Sequence, residues 1–194
     1  MTGLARSPVD TARAHLVVID MQDVFADPAS QWATPRFGEI LPTVRTLVDA
    51  FGPAVTFTRF VAPSDPVGAW RDYYEQWPFA LVPPDSPIYD VVGEFGETGP
   101  TVDATTFSKW GSRLAERVGA DTMVLAGVST DCCVMSTAVA AADAGVPVRV
   151  VSDACAGVDD ESHAAALHVL GLYGPLVQVV DAKRALALVT PSGS

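Results

Sequence analysis

The feature that most constrains this chain is an alternation. Short apolar runs, rich in valine and mostly free of polar interruptions, are separated by longer stretches with helical periodicity. The runs are His15–Ile19 (HLVVI), Ala54–Thr58, Met123–Val128, Val146–Val151 and Leu176–Val180, with a weaker one at Pro100–Thr105. A strand that is apolar on both sides needs cover on both faces, as in a parallel sheet held between two layers of helices. The amphipathic stretches are Ile40–Phe51, Ser112–Gly119, Cys133–Ala144, Glu161–Leu172 and Ala182–Leu188, and Gly119 and Gly145 stand where helices commonly end. Six strands joined by helical crossovers predict a three-layer α/β/α fold of the doubly wound kind, with a six-stranded parallel sheet. With 194 residues, 49% of them apolar, the chain is long enough for one such core. A single domain spanning 1–194 is expected, with 1–13 and 190–194 as loose tails.

The alternation breaks once, over residues 62–99. This excursion is rich in proline and carries Trp70, Tyr73, Tyr74, Trp77, Phe79, Tyr89 and Phe95. An irregular segment of that length serves either function or an interface. Two readings therefore stand side by side: the aromatics wall a pocket, or they pin the excursion to the core or to another subunit.

Charge and cysteine content narrow the class. Twelve Lys and Arg against 23 Asp and Glu give a net charge of −11. That balance opposes nucleic acid, whose phosphates require a basic face, and opposes an anionic membrane surface. No apolar run approaches the roughly 20 residues of a bilayer span, and the opening MTGLARSPVDTARA lacks the apolar centre of a signal peptide. Cys132, Cys133 and Cys155 are an odd number and make no disulfide framework. A cytoplasmic setting is expected.

In an open α/β sheet, ligands bind beyond the carboxyl ends of the strands, at the point where strand order reverses. The first predicted strand ends in Asp20, within IDMQDVF, and the fourth runs through Gly127-Val128-Ser129-Thr130-Asp131-Cys132-Cys133-Val134 straight into a helix. If those strands are neighbours, a carboxylate faces a cysteine across the switch point. Cys133 then lies at a helix N-terminus, where unpaired N–H groups and the helix dipole favour a thiolate and an oxyanion. Taken singly, Cys133 also reads as a small buried hydrophobe and Asp20 as a helix cap.

These residues resemble the isochorismatase-like cysteine hydrolases. The resemblance rests on Ile19-Asp20-Met21-Gln22-Asp23-Val24-Phe25 and on Gly127 to Val134. Ser152-Asp153-Ala154-Cys155-Ala156 and the pair Glu161 and His163 support it. It implies strand order 3-2-1-4-5-6, homodimers or homotetramers, and an Asp, Lys and Cys triad. Asp20 matches the aspartate and Cys133 the nucleophile. The N–H groups of Ser129 and Cys133 match the oxyanion hole, and Val128–Ser129 matches a cis peptide. The lysine departs from the pattern, because Ala104 stands where the family's third strand ends in lysine. Lys109 is then the one lysine placed to serve, with a solvent-facing role as its alternative.

The family's metal-binding members carry histidines after the second strand. Here that segment is Thr58-Arg59-Phe60-Val61-Ala62-Pro63, and His163 and His168 are five apart on one helix, so neither metal nor cofactor is expected. True isochorismatases generally lack the cysteine. The expected activity is cleavage of a C–N bond in a small amide or ureido compound through a thioester. Phe25, Trp70, Trp77 and Phe79 are candidates to wall the pocket, and Arg59 is a candidate to receive a substrate carboxylate or to form a surface ion pair. The alternatives are an impaired member that binds a ligand or partner, an isochorismatase-type hydrolase, and a Cys132–Cys133 redox switch.

Overall fold

The centre of the molecule is a pair of strands with almost no polar side chains. In the computed structural model, which describes residues 13–96 and 98–189, β1 (Ala14–Ile19) lies parallel to β4 (Thr122–Val128) over its whole length. Leu16, Val17, Val18 and Ile19 are fully buried, as are Val124, Leu125 and Ala126. Side chains alternate between faces along each strand. Leu16, Val18, Val124 and Ala126 therefore pack on one layer, while Val17, Ile19, Met123 and Leu125 pack on the other. Outward from this pair lie β2 (Val55–Phe60) and β3 (Thr101–Ala104) on one side, and β5 (Val148–Ala156) and β6 (Val177–Val180) on the other. Every pairing is parallel and the order is β3-β2-β1-β4-β5-β6. The strand order thus reverses between β1 and β4.

The helices are α1 (Asp23–Ala26), α2 (Phe37–Phe51), α3 (Ala69–Gln76), α4 (Ser112–Val118), α5 (Met135–Asp143), α6 (Asp160–Gly171) and α7 (Ala182–Leu186). In α2 the buried residues Phe37, Ile40, Val44, Leu47, Val48 and Phe51 recur every three or four positions and form one stripe against the sheet. Each fully buried side chain of this size contributes about 1.5–3 kcal/mol relative to exposure. Leu114, Ala138, Ala141 and Leu170, from α4, α5 and α6, cover the opposite face.

Three local features depart from the sequence expectation. β5 runs on to Ala156, because the polar stretch after Val151 stays paired to β4 through Gly127–Cys155 and Val128–Ala156. The excursion is partly ordered: it contains α3 and two short turns at Pro78–Ala80 and Pro87–Tyr89. The helix expected from Cys133 begins earlier, as a wide turn over Thr130–Val134, before α5. The expected tails fall, apart from Arg13, outside the described residues. Among the described residues no helix is long and apolar enough to cross a membrane.

The β1–β4 contact is close at the carboxyl end. Gly127 has φ +112°, and a Cβ there would collide with the backbone of Ile19. Only glycine combines that conformation with that proximity. The contact sets Asp20, just past β1, beside the turn that leaves β4.

Candidate active site

Asp20 leaves β1 in the left-handed region, with φ +48°, a conformation that aspartate tolerates better than most residues. Its side chain is completely buried. Thr58, in β2, holds it twice: the Thr58 hydroxyl accepts from the Asp20 N–H (3.2 Å) and donates to Oδ1 (2.7 Å). Gln22, also fully buried, ties β1 to its surroundings. Its amide N–H₂ donates to the carbonyls of Phe60 (3.1 Å) and Tyr89 (2.9 Å), and its Oε1 accepts from the Phe60 N–H (2.8 Å). The excursion is thereby laced across the end of β1.

The second carboxylate oxygen of Asp20 meets Lys109. The Lys109 Nζ lies 3.0 Å from Oδ2, both side chains are fully buried, and the ammonium also donates to the Thr106 carbonyl at 2.9 Å. It sits 4.6 Å from the centre of the Phe60 ring. Lys109 belongs to the loop after β3, while Ala104, at the strand end, has no charged group to offer. The lysine thus reaches the carboxylate from the loop instead of facing solvent. A buried ion pair is a poor stabiliser, since apolar residues of similar volume often do as well or better.

Cys133 is 4% exposed, within the Thr130–Val134 turn that follows the cis peptide Val128–Ser129. The turn is fixed from two directions. Thr130 hydrogen-bonds His163 Nδ1 at 2.8 Å, and the Asp131 Oδ1 accepts from the Val158 N–H at 2.9 Å. Thr137, one turn on in α5, donates from its hydroxyl to the Cys133 carbonyl (2.6 Å) and accepts from the Lys109 N–H (2.9 Å). One hydroxyl therefore joins the lysine loop to the cysteine turn. Contact with the Cys132 thiol and burial raise the Cys133 thiol above the ordinary range; the Lys109 charge opposes them and Asp20 adds to them. The neighbouring Cys132 is shifted down by the same thiol contact. At the helix N-terminus, where the dipole favours a thiolate, the Cys132 contact and burial act in the opposite sense.

Above the cysteines opens a cavity of about 480 Å³, lined by Ser129, Asp131, Cys132 and Cys133 at the turn and elsewhere by mainly aromatic side chains, with Gln31 and Thr34 among them. Phe25 and Trp77 line it as expected. Trp70 and Phe79 stand behind the wall: Trp70 packs on Phe107 at 5.0 Å and Phe79 on Trp32 at 5.1 Å. Arg59 stands apart from the cavity. Its guanidinium forks onto Asp103 at 2.8 and 2.7 Å, so the ion-pair alternative describes it. Tyr73, another of the excursion aromatics, also lines the cavity, whereas the sequence reading missed Trp32, Phe60 and Phe107 on the wall, and Thr58 and Thr137 behind it. Trp32 had a visible signal, a lone large aromatic in the polar loop Asp27–Arg36.

The histidines are engaged separately. His15 Nε2 hydrogen-bonds Thr56 at 2.9 Å in the core, and His163 is held by Thr130. Among the described residues no group of three or more His, Cys, Asp or Glu is arranged to hold a metal ion.

A family model, the Isochorismatase domain, matches residues 14–182. No curated protein matches the sequence significantly. Among solved structures, the chain is similar to a cysteine hydrolase from Pseudomonas syringae pv. phaseolicola 1448A, at 20% identity and TM-score 0.81, over 97% of each chain. It is similar to a nicotinamidase from Bacillus subtilis at 23% identity and TM-score 0.68, over 87% of this chain and 99% of the other. An N-carbamoylsarcosine amidase from Thermoplasma acidophilum is 22% identical with TM-score 0.67, over 88% of this chain and 96% of its own. At these identities the likeness is one of fold.

Proposed function

Because the chain belongs to the isochorismatase family of hydrolases, we propose that it cleaves the C–N bond of a small amide or ureido compound with Cys133 as nucleophile. The observation that carries this reading is the buried Lys109–Asp20 pair at 3.0 Å, set at the switch point beside a buried cysteine and below an aromatic cavity.

The steps follow from the groups gathered at the switch point, the Cys133 thiol and the Asp20 carboxylate paired with the Lys109 ammonium. As the sulfur attacks the substrate carbonyl carbon, its proton passes to Asp20. The developing oxyanion is received by the N–H groups of Ser129 and Cys133, which cost no reorganisation because the turn is already formed. Collapse breaks the C–N bond, and the proton on Asp20 goes to the departing nitrogen. Water then attacks the thioester, giving its proton to Asp20. The carboxylic acid leaves, and the thiolate takes the proton back. Lys109 keeps the carboxylate in place and balances its charge through the cycle.

Cys133→Ala is expected to abolish ammonia release from a panel of small amides while the fold, read by circular dichroism, persists. Cys132→Ala keeps most of the activity. Mass spectrometry of wild type quenched during turnover should find the acyl group on Cys133. A dead Cys132 variant beside an active Cys133 variant would overturn the assignment.

A further inference from the structure

The outer surface of α6 is at odds with the rest of the chain. In a protein with 18% charged residues, the sequence from Ser162 to Val180 holds no Asp, Glu, Lys or Arg, the longest such run it has. A run of this kind belongs inside a fold. Here it makes up most of α6, the turn that follows and the edge strand β6, and much of it stands exposed.

α6 buries Ala166 and Leu170 against its own layer. Its outer face carries Ala164, Ala165, His168, Val169 and Leu172, all exposed and none formally charged. These positions recur at helical spacing and so form one stripe. Other helices turn charge outward: α2 exposes Glu39, Arg45 and Asp49, and α4 exposes Arg113, Glu116 and Arg117. A helix that is apolar all round is normally covered all round. The apolar surface continues past the helix end. Of the eight large apolar side chains that stand exposed among the described residues, four (Val169, Leu172, Tyr173 and Leu176) fall in this one short segment. Exposed apolar residues scattered singly need no partner, whereas a contiguous group marks a contact surface.

From this arrangement we infer that α6 is where two copies of the chain associate, packed antiparallel across a twofold axis near His168. Charge selects this occupant. The chain carries −11, so a partner has to approach through surface where that charge is missing, and a charged face would find no ion to pair with on α6. A second copy brings an identical charge-free stripe. Side-chain size favours the antiparallel arrangement, which sets Leu172 of one copy over Ala164 and Ala165 of the other, large against small. The association is independent of the hydrolase reading.

The test is the mass in solution. By sedimentation, wild type should have an even multiple of the 20.4 kDa chain mass, and Leu172→Glu half the wild-type mass with an unchanged circular dichroism spectrum. Leu172 is 72% exposed in the single chain, so glutamate there spares the fold but meets apolar surface twice in the pair. The dissociation constant should rise at least about a hundredfold. His168→Glu and His168→Lys should each dissociate alone and reassociate when mixed in equal amounts, because each then faces its opposite charge across the axis. Added salt should tighten the wild-type pair, since it screens the repulsion between two chains of charge −11. Wild type that stays at the chain mass, or Leu172→Glu that keeps the wild-type mass, would overturn the inference. So would a His168 mixture that stays dissociated, or a pair that salt pulls apart.

Discussion

Lys109 lies five positions after Ala104, in a loop, yet its ammonium stands 3.0 Å from the Asp20 carboxylate. A flexible four-carbon stem makes this possible, and a compact ammonium suits a narrow site between a carboxylate, a carbonyl and a ring face. Removing it leaves a buried carboxylate without its partner, so Lys109→Ala is expected to lower kcat by about a hundredfold or more. Lys109→Arg should not restore it, because a planar guanidinium needs more room and a different set of acceptors. Lys109→Met, which keeps the stem and drops the charge, separates loss of charge from loss of packing and should be as inactive as the alanine variant. Ala104→Lys in the Lys109→Ala background should recover part of the activity, since it returns an ammonium to the end of β3, where the lysine loop begins. Steady-state kinetics on folded variants checks each of these. Normal turnover by Lys109→Ala would remove the lysine from the chemistry.

At the level of elements, the β3–α4 loop and the Thr130–Val134 turn are separate in sequence and joined by Thr137, which accepts from the Lys109 N–H and donates to the Cys133 carbonyl. Thr137→Val leaves the Lys109 N–H buried without its acceptor, at a cost of about 1–3 kcal/mol, while the Cys133 carbonyl keeps only the longer bond from the Ser136 hydroxyl, and the loop is freed from the turn. The expected result is a fall in kcat of about tenfold with KM little changed and recovery by Thr137→Ser, because the hydroxyl acts through position and not through substrate contact. A Thr137→Ser variant as slow as valine would show that packing of the methyl group matters instead. Such a tie is invisible in sequence, where a threonine in an alanine-rich helix carries no sign of its partners. The strands were legible because burial on both faces leaves unbroken valine runs: HLVVI became β1 with one residue added, and MVLAGV became β4. The α3 segment was not, because only Tyr74 of its eight residues is buried and no apolar stripe marks it. Asp20 and Cys133 could be singled out because each comes after a readable strand end. Trp32, Phe60 and Tyr73 come from three different connections or strand ends, and only the folded sheet gathers them round one cavity.

Across the whole molecule, the carboxyl ends of the strands hold the candidate chemistry, and the amino end of β1 holds a titration that bears on stability. His15 is buried there, hydrogen-bonded to Thr56, and burial lowers its pKa below the ordinary 6.5; Asp121 opposes that shift and Arg117 assists it. His163, in α6, is shifted the same way, again chiefly by burial. A folded state that favours the neutral ring binds fewer protons than the unfolded chain, so stability rises with pH across the interval between the two values. It is fully present above pH 6.5, declines as pH falls from 6.5 to the depressed folded value, and is level below that. Each unit of depression corresponds to about 1.4 kcal/mol. Urea unfolding at pH 7.5 and pH 5.5 should therefore give a lower midpoint at the acid pH, and His15→Gln, whose side-chain amide can still reach Thr56, should shrink the difference. The Cys133→Ala variant should show the same difference as wild type, since its substitution lies at the other end of the sheet and separations above about 7–10 Å usually leave two sites independent. If His15→Gln leaves the pH dependence untouched, the titration belongs to His163, and Thr130, its partner in the Thr130–Val134 turn, would then link acid stability to the candidate site itself.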